Sequence, residues 1–495
     1  MVYDEWMLKI AYFLIFALFV GCKAVQPTQA QTKQCRPNII FILADDLGYG
    51  EVGCFGQTKI QTPNIDFLDF LARRGTLLTE HYSGSPVCAS SRCSLLTGKH
   101  TGHAEVRNNR EMGGWGPDET EGQLALSEGC NSIARTLQSC GYATGAFGKW
   151  GLGGPDTVGH PNNQGFDTFY GYLCQRVAHN YYPTHLWSNN EKDMLQGNEA
   201  WFSAHQRVES PPHSYEQYAA ETYAPSVILD EAVSFIDTHA DEPFFLYFAS
   251  IIPHLALQVP DSELDAYPAD WDSQPYLGDR GYLPHPRPRA AYAAMITRFD
   301  DEVGALYEAL VNNGIEDNTL IVVTSDNGPS WVGGVDMNFF DSQGGLRGRK
   351  AQLWEGGIKV PTVMYWDERL NHQVIETPTA FWDWYPTLAT IAGCHLPENL
   401  DGIDLTPVLI ENDDIEQRGL YWEFGKSMAF RIGDWKLLEF KQKDGVDVHL
   451  YNLKDDPSET TNLALQLPQQ VELLQAQARA MRTESEIFPS FLDKR

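Results

Sequence analysis

Cys88 stands four residues before Arg92 in the stretch Ser85–Gly98, Ser-Pro-Val-Cys-Ala-Ser-Ser-Arg-Cys-Ser-Leu-Leu-Thr-Gly. With Cys88 in a turn and a helix following, Arg92 comes one helical turn later, so both can face one pocket. Backbone N–H groups at the N-terminus of that helix point the same way and, with the guanidinium, suit an anion. A Cys-x3-Arg pair taken alone more often marks a buried structural cysteine at the start of an amphipathic helix. Asp45-Asp46 and Asp326-Asn327 offer oxygen donors of the kind that hard divalent cations such as calcium and magnesium need. Asp-Asp after a strand is by itself more often a turn. Lys149 and His254 complete the residues whose positions invite chemistry.

Each of these groups follows a segment that reads as a strand. Pro37–Ala44 is a continuous apolar run, typical of a strand buried on both faces, and it delivers Asp45 and Asp46. Ala143–Phe147 delivers Gly148-Lys149, Phe244–Ser250 leads to Pro253-His254, and Leu320–Thr324 ends in Ser325-Asp326-Asn327. Helical patterns separate them. Thr62-Pro63 reads as N-cap and first residue of a helix ending near Gly75, and Asn131–Ser139 is a second. Tyr292, Met295, Ile296, Phe299, Val303, Leu306 and Leu310 keep a helical period that Gly314 stops. This alternation predicts an α/β fold, a large, mostly parallel sheet covered by helices on both faces. In such sheets ligands sit beyond the carboxyl ends of strands, where all four groups lie.

From about Arg418 the text changes to short polar-apolar strands (Leu420–Glu423, Met428–Ile432, Trp435–Phe440, Val448–Leu450) and a closing helix, Gln469–Arg482. That predicts a smaller antiparallel α+β unit over 416–495, after a main domain over 36–415. Two loop-rich, aromatic insertions, Asp156–Asp241 with Trp187 and Trp201, and Pro260–Pro288, are placed to build specificity above the sheet rim.

The segments together resemble the sulfatase family, of the alkaline phosphatase superfamily. Cys88, Ser91, Arg92, Leu95, Leu96, Thr97 and Gly98 match its signature, while Ser90 stands where Pro, less often Ala, is usual. Gly141-Tyr-Ala-Thr-Gly-Ala-Phe-Gly-Lys-Trp150 is similar to the second signature. Pro253-His254, the stretch around Lys350, and Leu450–Leu463 also correspond. The resemblance implies that Cys88 is oxidised to formylglycine by a maturing enzyme, and that its hydrated aldehyde attacks the sulfur of a sulfate ester. It assigns Asp45, Asp46, Asp326 and Asn327, with residue 88, to one calcium ion. It assigns Arg92, Lys149 and Lys350 to the sulfate, and His254 or Lys350 to the departing oxygen. Two residues after the lysine, where arylsulfatases commonly carry histidine, this chain has Gly151. His179, in Ala-His-Asn-Tyr-Tyr-Pro, is the candidate to supply the base. The expected substrate is an aryl sulfate or a sulfated saccharide, the latter because aromatic insertions can stack on sugar faces. The competing readings are a phosphoester hydrolase of the same superfamily, which would show Thr or Ser as nucleophile and a second metal site, and a non-catalytic glycan-binding descendant.

Composition agrees with export. A formal net charge of −30 over 495 residues excludes a nucleic-acid binder and requires any anion site to be locally basic or metal-bound. Ile10–Val20 is too short to span a bilayer and fits the apolar part of a signal peptide within residues 1–30. Cleavage after Ala30 gives a secreted or periplasmic protein, and Phe19-Val-Gly-Cys22 offers a lipid anchor at Cys22 as the alternative. Removing Cys22 and Cys88 from nine cysteines leaves an odd number, from which no disulfide pair follows. Cys130 and Cys140 flank a helix whose rise of roughly 15 Å keeps them apart.

Overall fold

The side chains of the Asn38–Ala44 strand divide by parity. Ile40, Ile42 and Ala44 enter one core, and Ile39, Phe41 and Leu43 enter another. Phe244–Ala249 divides in the same way, with Phe244, Leu246 and Phe248 on one side and Phe245, Tyr247 and Ala249 on the other. A strand apolar at both parities has to be covered on both faces, and these are. The computed structural model describes residues 36–493 except 71–74, 115–118, 200–210, 368, 371 and 412. The leader, Cys22 and Trp201 lie outside the described residues.

These strands belong to a ten-stranded mixed sheet. Its centre holds four parallel neighbours in the order Thr319–Ser325, Asn38–Ala44, Phe244–Ala249 and Ala143–Lys149. One face carries Ala224–His239 and the long helix Pro288–Asn313, and the other carries Cys88–Thr97, Ile133–Ser139 and Trp384–Ile391. Each fully buried Leu, Ile or Phe contributes about 1.5–3 kcal/mol, so the two cores dominate stability. A separate four-stranded antiparallel sheet, Gly419–Phe424, Ser427–Ile432, Trp435–Gln442 and Gly445–Asn452, is followed by the helix Pro468–Ala480. The expected α/β architecture is observed.

Two local expectations need correction. Thr62 does not cap the helix Pro63–Phe70 with its side chain; its hydroxyl accepts from Gly53 N and donates to Asp66. The capping carboxylate comes from afar: Asp300 accepts from Asn64 N at 2.9 Å and Ile65 N at 2.7 Å. Cys140 also has a partner that sequence spacing did not reveal. It is disulfide-bonded to Cys394, 254 residues away, with Cα atoms 5.9 Å apart.

Candidate active site

Strand register brings the acidic groups together. Ala44 is paired with Ser325, so Asp45 and Asp326 emerge side by side. Gly148 is paired with Ala249, so Lys149 emerges where the chain turns toward His254. Asp46 has a φ of 73°, a left-handed conformation that is uncommon for a residue other than glycine. That turn is fixed by hydrogen bonds. Asp46 N donates to Asp326 Oδ1 at 3.1 Å, and Asn327 Nδ2 donates to Asp46 Oδ1 at 2.7 Å.

Cys88 opens a ten-residue helix, Cys88–Thr97, in which every residue is buried. The motif residues around it have structural work. Ser91 Oγ accepts from Gly84 N at 3.1 Å and ties the incoming loop to the helix. Leu95 and Leu96 fill the core below, and Gly98 ends the helix at a φ of 66°. A Cβ on Gly98 would meet Leu400 Cδ2 at 2.9 Å and Tyr385 Cβ at 3.0 Å. Ser90 Oγ bonds to Ser85 Oγ at 2.7 Å.

The reactive groups converge as the spacing predicts. The Cys88 thiol donates to Asp45 Oδ1 at 3.2 Å, and Lys350 Nζ lies 3.7 Å from Cys88 Sγ and 2.7 Å from Asp46 Oδ2. Lys149 Nζ donates to Asp45 Oδ2. Arg92 reaches Asp326 Oδ2 through Nε at 3.0 Å and Nη2 at 2.9 Å, and stands 3.5 Å from Asp45. His254 Nδ1 is hydrogen-bonded to Leu255 O at 2.7 Å, which leaves Nε2 3.6 Å from Asp46 Oδ2.

Three buried carboxylates thus face two buried cations, Arg92 and Lys149, and the half-buried Lys350. Burial works against ionised Asp45, but Lys149, His254 and Arg92 outweigh it and hold its carboxyl well below the usual range. Asp326 goes the other way, raised by burial and by Asp45. Burial, then Asp326 and Asp45, push the Cys88 thiol up, so it stays protonated and is no thiolate nucleophile.

The donor set fits a hard cation. Ligand atoms of Asp45, Asp46, Cys88 and His254 all lie within 4.8 Å of one another. Asn327 Oδ1 is buried with no hydrogen-bond partner among the described residues, as an oxygen awaiting a cation would be.

The chain has relatives of known family. The family model described as Sulfatase matches residues 37–394, and the one described as N-sulphoglucosamine sulphohydrolase, C-terminal, matches residues 348–485. The chain belongs to the sulfatase family. It is a sulfuric ester hydrolase by that membership. It is 30% identical to arylsulfatase A of Homo sapiens over 95% of this chain and 92% of the relative. It is 28% identical to N-acetylgalactosamine-6-O-sulfatase of Bacteroides thetaiotaomicron over 94% of this chain and 97% of the relative. Among solved structures, Ps i-CgsB in complex with k-i-k-neocarrahexaose is similar at a TM-score of 0.72 and 27% identity, covering 92% of this chain and 96% of that one.

Within this sulfatase the position two beyond Lys149 has a structural answer. Gly151 has a φ of 82°, and a Cβ there would meet Gln175 Nε2 at 2.4 Å and Gln175 Cγ at 2.7 Å. Gln175 therefore occupies the room over Gly151, and its Nε2 is buried without a partner among the described residues. His179 lies elsewhere, its ring stacked on that of His254, with Tyr282 against both. Neither Gln175 nor Tyr282 was singled out from sequence. Both come from the aromatic insertions, where no periodicity marks a residue.

Proposed function

We propose that this chain is an exported sulfatase that removes sulfate from a carbohydrate ester, using a formylglycine made from Cys88 and a bound calcium ion. The observation that carries this reading is the cluster itself. Cys88 Sγ sits 3.2 Å from Asp45 and 3.7 Å from Lys350, among oxygen donors that include an unpartnered Asn327 Oδ1.

Asp45, Asp46, Asp326 and Asn327 would hold the calcium ion with an oxygen of residue 88, and the ion when bound supplies positive charge to sulfate oxygens. The formylglycine hydrate supplies a hydroxyl nucleophile where the buried thiol is inert. Arg92, Lys149 and Lys350 bind and orient the sulfate and favour the charge that gathers on its oxygens. Burial opposes the Lys350 ammonium, but the Asp46 and Asp45 carboxylates outweigh it and keep Nζ protonated, poised to give a proton to the departing alcohol oxygen. His254 Nε2, 3.6 Å from Asp46 Oδ2, is the alternative donor of that proton. His179 is assigned to accept a proton later in turnover.

A carbohydrate substrate is supported by the names of the relatives, an N-acetylgalactosamine-6-O-sulfatase and a structure holding a neocarrahexaose. Export is supported by the apolar segment Ile10–Val20 and by the Cys140–Cys394 disulfide, which belongs to an oxidising compartment. Cys22 remains the candidate lipid anchor. Among the described residues no helix is long and apolar enough to cross a membrane. A formylglycine-generating enzyme is the maturation partner this reading requires.

The test pairs a mass spectrum of the Cys88 peptide with parallel assays of 4-nitrophenyl sulfate and 4-nitrophenyl phosphate. Formylglycine and preferential sulfate release are expected. An unmodified thiol in an active preparation, or preferential phosphate release, refutes the reading.

A further inference from the structure

A cavity of about 400 Å³ is lined by segments that lead away from the reaction centre. Three chain segments run from one to the other. At the centre they present His179, His254 and Tyr282, whose rings pack together. Two or three residues later the same segments line the cavity as Tyr182, Leu257 and Pro284. Three residues span at most about 10 Å of chain. The segments are cross-tied, because Ala256 N donates to His179 O at 3.2 Å and Tyr181 N donates to Gln258 Oε1 at 3.0 Å. Gln258 Nε2 in turn holds Tyr218 O at 2.6 Å, so the cavity wall is built and not a chance gap between loops.

The two compartments differ in charge. The centre gathers Arg92, Lys149 and Lys350. The described lining of the cavity contains no lysine or arginine, and Glu216 and Asp261 stand exposed at it. His285 lines it too. Its Nδ1 accepts from Arg287 N at 3.1 Å, and burial pushes its imidazole down to about 4, so it is neutral. Tyr182, Tyr215 and Tyr218 add ring faces. Aromatic faces with carboxylate and neutral hydrogen-bonding groups suit a polyhydroxyl ring, and two carboxylates disfavour an anion.

We propose that this cavity is a second sugar subsite that takes an uncharged pyranose linked to the sulfated one. The substrate is then an oligosaccharide whose reacting unit bears sulfate and whose neighbouring unit does not. This rests on the sulfatase reading above, and adds to it which ring lies next to the reacting one.

The probes are the 6-sulfates of N-acetylgalactosamine and N-acetylglucosamine, each free, linked to unsulfated galactose, and linked to a sulfated galactose. With at least one hexosamine, kcat/KM for the singly sulfated disaccharide should exceed that of the free sugar by tenfold or more, and a second sulfate should abolish the gain. The charge-neutral double variant Glu216→Gln, Asp261→Asn should narrow the discrimination against the second sulfate at least threefold. Tyr215→Ala should reduce the disaccharide advantage by raising KM. Equal kcat/KM for free sugar and disaccharide, or discrimination unchanged in the double variant, overturns the proposal. Calorimetry with the unsulfated disaccharides reads the cavity without turnover, and absence of binding there also overturns it. Release from 4-nitrophenyl sulfate reports the reaction itself, so a failed subsite and a failed sulfatase reading give different results.

Discussion

The imidazole rings of His179 and His254 lie face to face, with centroids 4.3 Å apart and planes 13° apart. Two imidazolium charges at that separation would repel by about 4 kcal/mol at an effective dielectric constant near 20. At most one ring of the pair is therefore a charged imidazolium at a time. The stack divides labour between two residues that sequence spacing alone would treat as independent.

His254→Ala should slow the step in which the alcohol departs. The loss is expected to be about 100-fold or more for a sugar sulfate and below about tenfold for 4-nitrophenyl sulfate, whose leaving group needs little protonation. His179→Ala should instead give one fast release of alcohol followed by slow turnover, since it acts after that release. Stopped-flow traces with 4-nitrophenyl sulfate separate the two. A change in KM alone for His179→Ala would make it a binding contact.

Chelation should remove activity while leaving the fold standing. Arg92, Lys149 and Lys350 already pair with the three carboxylates, so metal-free protein keeps its site charges compensated. Thermal melts should fall by only a few degrees, and calcium should restore activity better than zinc, as oxygen ligation implies. Asn327→Ala should weaken calcium binding about tenfold or more by removing the unpartnered Oδ1, measured by calcium titration of the stripped protein. Full activity in metal-free protein would refute the site.

Ser90 lies in the first turn of its helix, where backbone N–H groups have no intrahelical acceptor, so proline is geometrically acceptable there. Ser90→Pro forfeits the bond to Ser85, at a cost of about 1 kcal/mol. It should nevertheless raise the converted fraction of Cys88, read as a loss of about 18 Da from the peptide when thiol becomes aldehyde. An unchanged fraction means that Ser90 does not limit maturation.

Glu302 is buried beneath the loop that carries His254 and accepts a hydrogen bond from Ser250 Oγ at 2.7 Å. Burial pushes its carboxyl up to about 8. The folded state thus keeps a proton that the unfolded chain releases near 4.5, so this group favours folding below that pH and its contribution is lost as pH rises toward 8. Glu302→Gln should stabilise the protein at pH 8 by on the order of 4 kcal/mol and have little effect near pH 4. Melts at the two pH values check it; equal shifts would point to packing instead.

The convergence of the candidate site residues was legible because strands announce themselves. Asp45, Lys149, His254 and Asp326 each follow an apolar run, and parallel register does the rest. Cys140 was not legible as a disulfide partner, since Cys394 lies on the far side of 254 residues and cysteine spacing carries no fold. Asp300 as the cap of a helix near the start of the chain was hidden for the same reason. The occupant of the space over Gly151 could be known only from contact, because Gln175 sits in an insertion without periodicity. Glycine at 151 pointed to a missing side chain, and packing showed which side chain fills the space.

Cys88 is 1% exposed, at the head of a helix closed on every side. A second enzyme that must grip the peptide around it would find nothing to hold once the sheet and helices have assembled. If Cys88 is matured as proposed, conversion is a race against folding, settled while the chain is still being made. Supplying the maturing enzyme to purified, folded protein should recover nothing, whereas supplying it during synthesis should. Preparations from different hosts can then share one structure and one melting curve yet differ in specific activity, by the fraction of chains caught in time.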